Sequence, residues 1–91
     1  MSVQQHIYAV RGAGMVKIGR AVAPEIRFDT LQSGSPVKLD LVGYIDGDHA
    51  CERELHDRFK SYRAHGEWFR DEGPVSEWAD SVKFATEEVS Q

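Results

Sequence analysis

Two apolar, partly alternating runs flank Gly12-Ala13: Ile7-Tyr8-Ala9-Val10 before it and Met15-Val16-Lys17-Ile18 after it. Glycine at the first central position suits a two-residue type II′ turn. The pattern therefore predicts a hairpin with Arg11 opposite Gly14, Val10 opposite Met15 and Tyr8 opposite Lys17. Side chains alternate across a strand, which puts Ile7, Ala9, Val16 and Ile18 together on one face. That face is dry enough for a core. The other carries His6, Tyr8 and Lys17, a set that a core would not select and that marks a candidate site.

Beyond the hairpin, Pro24 suits a first helical position and Phe28 and Leu31 fall one turn apart, predicting a short helix over residues 24–32. Ser33-Gly34-Ser35-Pro36 ends it with turn chemistry. Leu39, Leu41, Gly43 and Ile45 alternate with Asp40, Val42 and Tyr44, the pattern of a third strand. Asp46-Gly47-Asp48 then forms a turn that caps a second helix over residues 48–62. On that helix Glu52, Leu55, His56 and Phe59 recur at i, i+3, i+4 and i+7 and share one stripe. An acid and an imidazole in such a stripe have two readings. One is an edge carboxylate beside a satisfied, partly buried histidine; the other is a pair of site residues.

Gly66-Glu67-Trp68-Phe69 reads as a short extended or turn segment whose aromatics pack beneath the sheet. A last helix starts near Gly73-Pro74, with Val75, Trp78, Val82, Ala85 and Val89 as its apolar seam. The seam covers the domain, and any part left over offers a surface to a second copy of the chain or to a partner protein.

Ninety-one residues make one small domain with a single core. The net charge of −4 is unevenly placed. Residues 1–70 hold ten Lys/Arg and nine Asp/Glu, whereas residues 71–91 hold Lys83 against Asp71, Glu72, Glu77, Asp80, Glu87 and Glu88. The acidity thus belongs to the C-terminal segment and the body is near neutral. Strong non-specific duplex binding needs a dense basic face, so local phosphate contact is the expectation here. No apolar run reaches membrane-spanning length and the first residues lack a signal-peptide layout, which points to a cytoplasmic protein without membrane contact. Cys51, the one cysteine, has no internal disulfide partner and reads as an ordinary helix residue. His49, Cys51, His56 and His65 lack the paired spacing of a zinc site.

In order along the chain stand His6-Ile7-Tyr8, Val16-Lys17-Ile18-Gly19-Arg20, Pro24-Glu25-x-Arg27, Leu31-Gln32-x-Gly34-Ser35-Pro36, Glu52-x-x-Leu55-His56-x-x-Phe59 and Gly66-Glu67-Trp68-Phe69. This ordered set resembles the GIY-YIG endonuclease superfamily, and most closely its branch named after a phage T5 reading frame. The resemblance covers about residues 5–70. It implies an α+β fold, a small three-stranded antiparallel sheet flanked by helices, with residues 71–91 as an extra acidic helix packed on the same domain. It also implies a phosphodiesterase site using one Mg²⁺ (or Mn²⁺) and acting on DNA. Glu52 matches the metal carboxylate, Arg27 the helix arginine on the phosphate, and Tyr8 the first motif tyrosine, which takes a proton from water. Tyrosine becomes a base only once ionised, so a neighbouring cation such as Lys17 has to help. Arg20 and Lys17 join Arg27 as phosphate contacts, and His56 assists as proton donor or phosphate contact.

Three departures from the family pattern stand out. His6 replaces the first motif glycine, Lys17 replaces the second motif tyrosine, and the late asparagine has no equivalent near residues 66–69. A lysine at position 17 can serve a base or a phosphate, or mark a site that binds without cutting. The expected function is a metal-dependent DNA endonuclease, with a catalytically weak DNA-binding or regulatory module as the alternative. A protein-interaction domain using the terminal helix is a third. On the residues alone, Lys17 and Arg20 also read as solvated strand-end charges, Arg27 as a surface arginine pairing with Glu25 or Asp29, and Tyr8 as a half-buried strand tyrosine.

Overall fold

In the computed structural model, which describes residues 3–89, the hairpin consists of β1 (His6–Gly12) and β2 (Met15–Ala21). Gly12 pairs with Met15, so the two-residue turn is Ala13-Gly14, one position later than the pattern suggests. Ala13 and Gly14 both have left-handed φ, 54° and 76°, as a type I′ turn requires. Gly12 is needed elsewhere: a Cβ there would overlap the Leu39 side chain. The slide gives Tyr8 the partner Gly19 and Lys17 the partner Val10, so Tyr8 and Lys17 are not directly opposite. Because the partners shift by two residues, every side chain keeps its expected face. Ile7, Ala9, Val16 and Ile18 are fully buried in one cluster, while Tyr8 and Val10 belong to the other.

The sheet has five strands rather than three, in the order β3-β1-β2-β5-β4, with β3 (Asp40–Asp46), β4 (Arg63–His65) and β5 (Trp68–Arg70). All four pairings are antiparallel. Two three-residue strands are too short for alternation to announce them, which is why residues 63–70 read as a turn. Trp68 and Phe69 therefore lie within the sheet instead of beneath it. Phe69 is fully buried in the Ile18 cluster, and Trp68 packs with Tyr8 on the other side. β3 departs from strict alternation too. Ala9 pairs with Gly43 but Val10 pairs with Leu41, leaving Val42 as a bulge. Leu39 and Leu41 consequently join the Tyr8 cluster, and Val42 and Ile45 pack on the opposite one.

Helices cover both faces. α1 (Pro24–Ser33) sets Phe28 and Leu31 against Tyr8, Val10 and Leu39. The Tyr44 hydroxyl on β3 donates to Glu25 on α1. That hydrogen bond holds the Glu25 carboxyl below its ordinary range. The turn after α1 is closed by one side chain: Gln32 accepts the Leu39 N–H at 2.7 Å and donates to the Val37 carbonyl at 3.0 Å.

α2 (His49–Arg58) begins at Asp48, whose carboxylate accepts the Cys51 N–H. It ends earlier than the predicted residue 62, tightening into a 3-10 turn at Lys60–Tyr62. Leu55 and Phe59 enter the Ile18 cluster beside Val75, Ala79 and Val82 of α3 (Gly73–Val89). Thr86 on α3 accepts the Tyr44 N–H at 2.9 Å, and a Cβ at Gly43 would overlap the Thr86 hydroxyl. The close approach fixes α3 along the outer edge of the sheet. Trp78 and Ala85 of the seam are half-buried, while the side chain of Val89 and residues 1–2 and 90–91 lie outside the described residues. No helix among the described residues is long and apolar enough to cross a membrane.

The turn yields a direct prediction. Ala13 stores left-handed strain, which costs an L-residue about 1–2 kcal/mol. Ala13→Asn creates Asn-Gly, the favoured type I′ pair, and should raise stability by about 0.5–1 kcal/mol in urea unfolding. A loss of stability would show that the turn is formed differently.

Candidate active site

β5 pairs with β2 only as far as Lys17 opposite Trp68. One residue further on, the backbone of Ile18 needs other partners at that edge. Its N–H donates to the Glu67 carbonyl at 3.0 Å, and its carbonyl lies 2.8 Å from His56 Nε2. A carbonyl can only accept, so Nε2 carries a proton, and in the neutral ring Nδ1 is the nitrogen left to a ligand. Ile18 thus anchors the β4–β5 turn and the middle of α2 at one place. The ring of Phe69 packs against His56, with centroids 5.2 Å apart.

The two anchored segments bring three ligating side chains together. Ligand atoms of Glu52, His56 and Glu67 all lie within 4.8 Å of one another, the one such convergence of three acids, histidines or cysteines among the described residues. Glu52 is buried (8% exposed) and its carboxylate makes no hydrogen bond among the described residues. Its nearest polar neighbours are Arg20 Nε at 3.6 Å and His49 Nδ1 at 3.8 Å. A carboxylate with so little exposure and no hydrogen bond gains from a bound cation, which can reach its oxygens because they are not sealed from solvent. Two carboxylates and an imidazole suit a divalent ion such as Mg²⁺ or Mn²⁺, the imidazole favouring Mn²⁺. The residues therefore fit a metal. Cys51 and His65 are exposed and, like His49, belong to no convergent set among the described residues.

The other face of β2 supplies the remaining chemistry. Lys17 is almost wholly buried (8% exposed), which removes the reading of a solvated charge. Its ammonium lies 2.9 Å from Glu67 Oε1 and 5.7 Å from the centre of the Trp68 ring. Tyr8 is fully buried rather than half-buried, yet its hydroxyl has no hydrogen-bond partner among the described residues and is not sealed from solvent. It reaches outward over Gly19, where a Cβ would overlap the hydroxyl and Cζ. Arg20 divides its guanidinium between Glu52 and Gln5, whose Oε1 accepts from an Arg20 terminal nitrogen at 2.7 Å. Tyr8 and Lys17 thus stand on one side of β2 and Arg20 on the other, and the Glu67 carboxylate is near both sets.

Two expected residues lie apart. Arg27 is exposed on α1 and its guanidinium makes no hydrogen bond or ion pair among the described residues; Glu25, one of its expected partners, takes the Tyr44 hydroxyl instead. His6 packs edge-on against Tyr44 with Nε2 3.4 Å from Asp46, and its Nδ1 is buried without a partner.

A family model of the T5orf172 domain matches residues 5–86. The chain belongs to the T5orf172 domain family. That family is part of the GIY-YIG clan, and the match runs past residue 70 through most of α3. No curated protein and no solved structure matches the chain. Within this T5orf172 domain, the strings quoted above acquire physical roles. Gln32 and Ser35 staple the turn after α1, while Gly66, with a left-handed φ of 57°, reverses the chain so that Glu67 faces Ile18. Glu67 is the site residue that sequence reasoning missed. A carboxylate in a Gly-containing turn has the pattern of a solvent-exposed residue, so its spacing alone carries no signal of a site.

Gly19 gives this T5orf172 domain a clean test. Gly19→Ala should destabilise it by about 1–3 kcal/mol, because the added methyl must displace a packed ring. Tyr8→Phe should leave the stability within about 1 kcal/mol of wild type, since the hydroxyl has no hydrogen-bond partner among the described residues. The reverse order of the two in chemical denaturation would show that the Tyr8 hydroxyl is structural.

Proposed function

We propose that the chain is a divalent-metal-dependent endonuclease that hydrolyses phosphodiesters of DNA at the outer edge of β2. The observation that carries this reading is the convergence of Glu52, His56 and Glu67, with the Lys17 ammonium beside Glu67. Membership of a GIY-YIG-clan family supports the same chemistry. Glu52, Glu67 and the free nitrogen of His56 would hold Mg²⁺ or Mn²⁺. Such an ion, when bound, stabilises negative charge that develops on a phosphoryl oxygen.

This chain's side chains do the rest. Tyr8, whose hydroxyl lies over Gly19 with no hydrogen-bond partner among the described residues, takes the proton of the attacking water as general base. Lys17, on the same face of β2, holds a phosphate oxygen. Arg20 and the unengaged Arg27 bind phosphate, the guanidinium fork matching two oxygens at once. Phe69 and Ile18 keep the inner side of the site dry, which strengthens each of these interactions. With a near-neutral body, affinity for DNA rests on these few local contacts rather than on a broad basic face.

One observation favours a second reading. Lys17 is already neutralised by Glu67 at 2.9 Å, which is what a module that binds DNA without cutting it would tolerate. The test is a cleavage assay on plasmid, branched and single-stranded DNA with Mg²⁺ and with Mn²⁺. Wild type should cut at least one substrate, and Glu52→Ala should lower the rate by about 100-fold or more. Equal cleavage by both proteins would remove Glu52 from the site. Metal-independent binding with no cleavage by wild type would establish the second reading.

A further inference from the structure

Glu67 is claimed by two partners at once. Its Oε1 lies 2.9 Å from the Lys17 ammonium, while its carboxylate stands within 4.8 Å of the ligand atoms of Glu52 and His56. Its backbone does not share the ambiguity, because the Ile18 N–H holds the Glu67 carbonyl at 3.0 Å. The side chain can therefore change partners without moving the turn. Its surroundings allow this: the Glu67 side chain is 40% exposed, whereas that of Lys17 is 10% exposed.

We propose that Glu67 is an exchangeable ligand: it neutralises Lys17 in the free protein and joins Glu52 and His56 when a divalent cation binds. The inference rests on the metal-site reading above and adds a regulation to it. The buried Lys17 ammonium needs an anion in either state, because an unpaired charge at that depth is strongly unfavourable. Once Glu67 turns to the cation, the anion available to Lys17 is a phosphate of the substrate. Cation and phosphodiester binding are then coupled through one carboxylate. The pair keeps Lys17 neutralised until the cation draws Glu67 away, and the unmet demand of Lys17 for an anion then favours the phosphodiester.

The arrangement also accounts for lysine at position 17. A tyrosine there could hold the carboxylate only by a neutral hydrogen bond, as Tyr44 holds Glu25, and would supply no positive charge to offset Glu67 beside Glu52 in the free protein. With Lys17 in place the second carboxylate is tolerated before the ion binds.

A binding cycle distinguishes this exchange from simple charge repulsion. Mn²⁺ affinity is measured by calorimetry for wild type, Lys17→Met, Glu67→Gln and the double variant, each checked for a cooperative unfolding transition. Glu67→Gln should weaken binding about tenfold, as loss of one ligand or its support does. Lys17→Met should tighten it several-fold, because Glu67 is released from its competitor. In the Glu67→Gln background the same lysine change should have no effect. Wild-type affinity in Glu67→Gln, or a lysine effect that persists in the double variant, overturns the proposal and leaves a Glu52 site standing. Absence of Mn²⁺ binding in folded wild type overturns the metal-site reading together with the proposal. Should Lys17→Met fail to fold, the Lys17 side-chain ammonium signal of the intact protein on adding Mg²⁺ decides. A displaced signal supports the exchange, and an unchanged one in Mg²⁺-saturated protein overturns it.

Discussion

The backbone of Ile18 is the constraint on which the candidate site depends. A strand inside a sheet normally satisfies its outward groups through the next strand. β5 stops short of Ile18, so this residue turns to a carbonyl from a turn and an imidazole from a helix. Those two bonds decide where Glu67 and His56 stand, and Glu52 follows from its place one helical turn before His56. The side chain of Ile18 is meanwhile buried in the main core. Core and site are thus built on one residue, its side chain used for packing and its edge for chemistry. A functional constellation held this way rests on rigid elements rather than on a long loop.

Electrostatically, the site works on compensation at short range. The body of the chain is near neutral, and the second core layer under α1 would not accept an unpaired lysine. Lys17 enters it because Glu67 stands beside it, and Glu52 is buried with only loose attention from Arg20 and His49. The acidic residues of the C-terminal segment have a different part. Asp71, just before α3, and Asp80 on it bind the Arg11 guanidinium at 2.9 Å each, pinning the helix to β1. The charge asymmetry between residues 1–70 and 71–91 is in this respect partly structural, with the helix answering an arginine that the sheet presents.

Much of this was legible in the residues, and the failures have physical causes. Face assignment in the hairpin survived a misplaced turn because partners slipped by two positions, and strand periodicity is also two. The Gly12-Ala13-Gly14 string offered two turns, and only the packing of Leu39 against Gly12 chooses between them. The bulge at Val42 was invisible because Leu39 through Ile45 is apolar enough to satisfy strict alternation as well as a broken one. The β4–β5 hairpin was hidden by its brevity. At the site, Glu52 and His56 were legible because polar residues in an apolar helical stripe need a reason. Glu67 was not, since a carboxylate in a Gly-containing turn is what solvent exposure alone would select. Arg27 shows the limit in the other direction: a residue can match a motif while this fold leaves it with no partner among the described residues.

The most direct measurement of the central claim is paramagnetic broadening of backbone amide signals during addition of substoichiometric Mn²⁺. The account predicts that amides of Ile18, Glu52, His56 and Glu67 broaden first, with those around Asp80 and Glu77 on α3 unaffected at the same ratio. Early broadening confined to the acidic α3 surface, with the Ile18 edge unchanged, would contradict it.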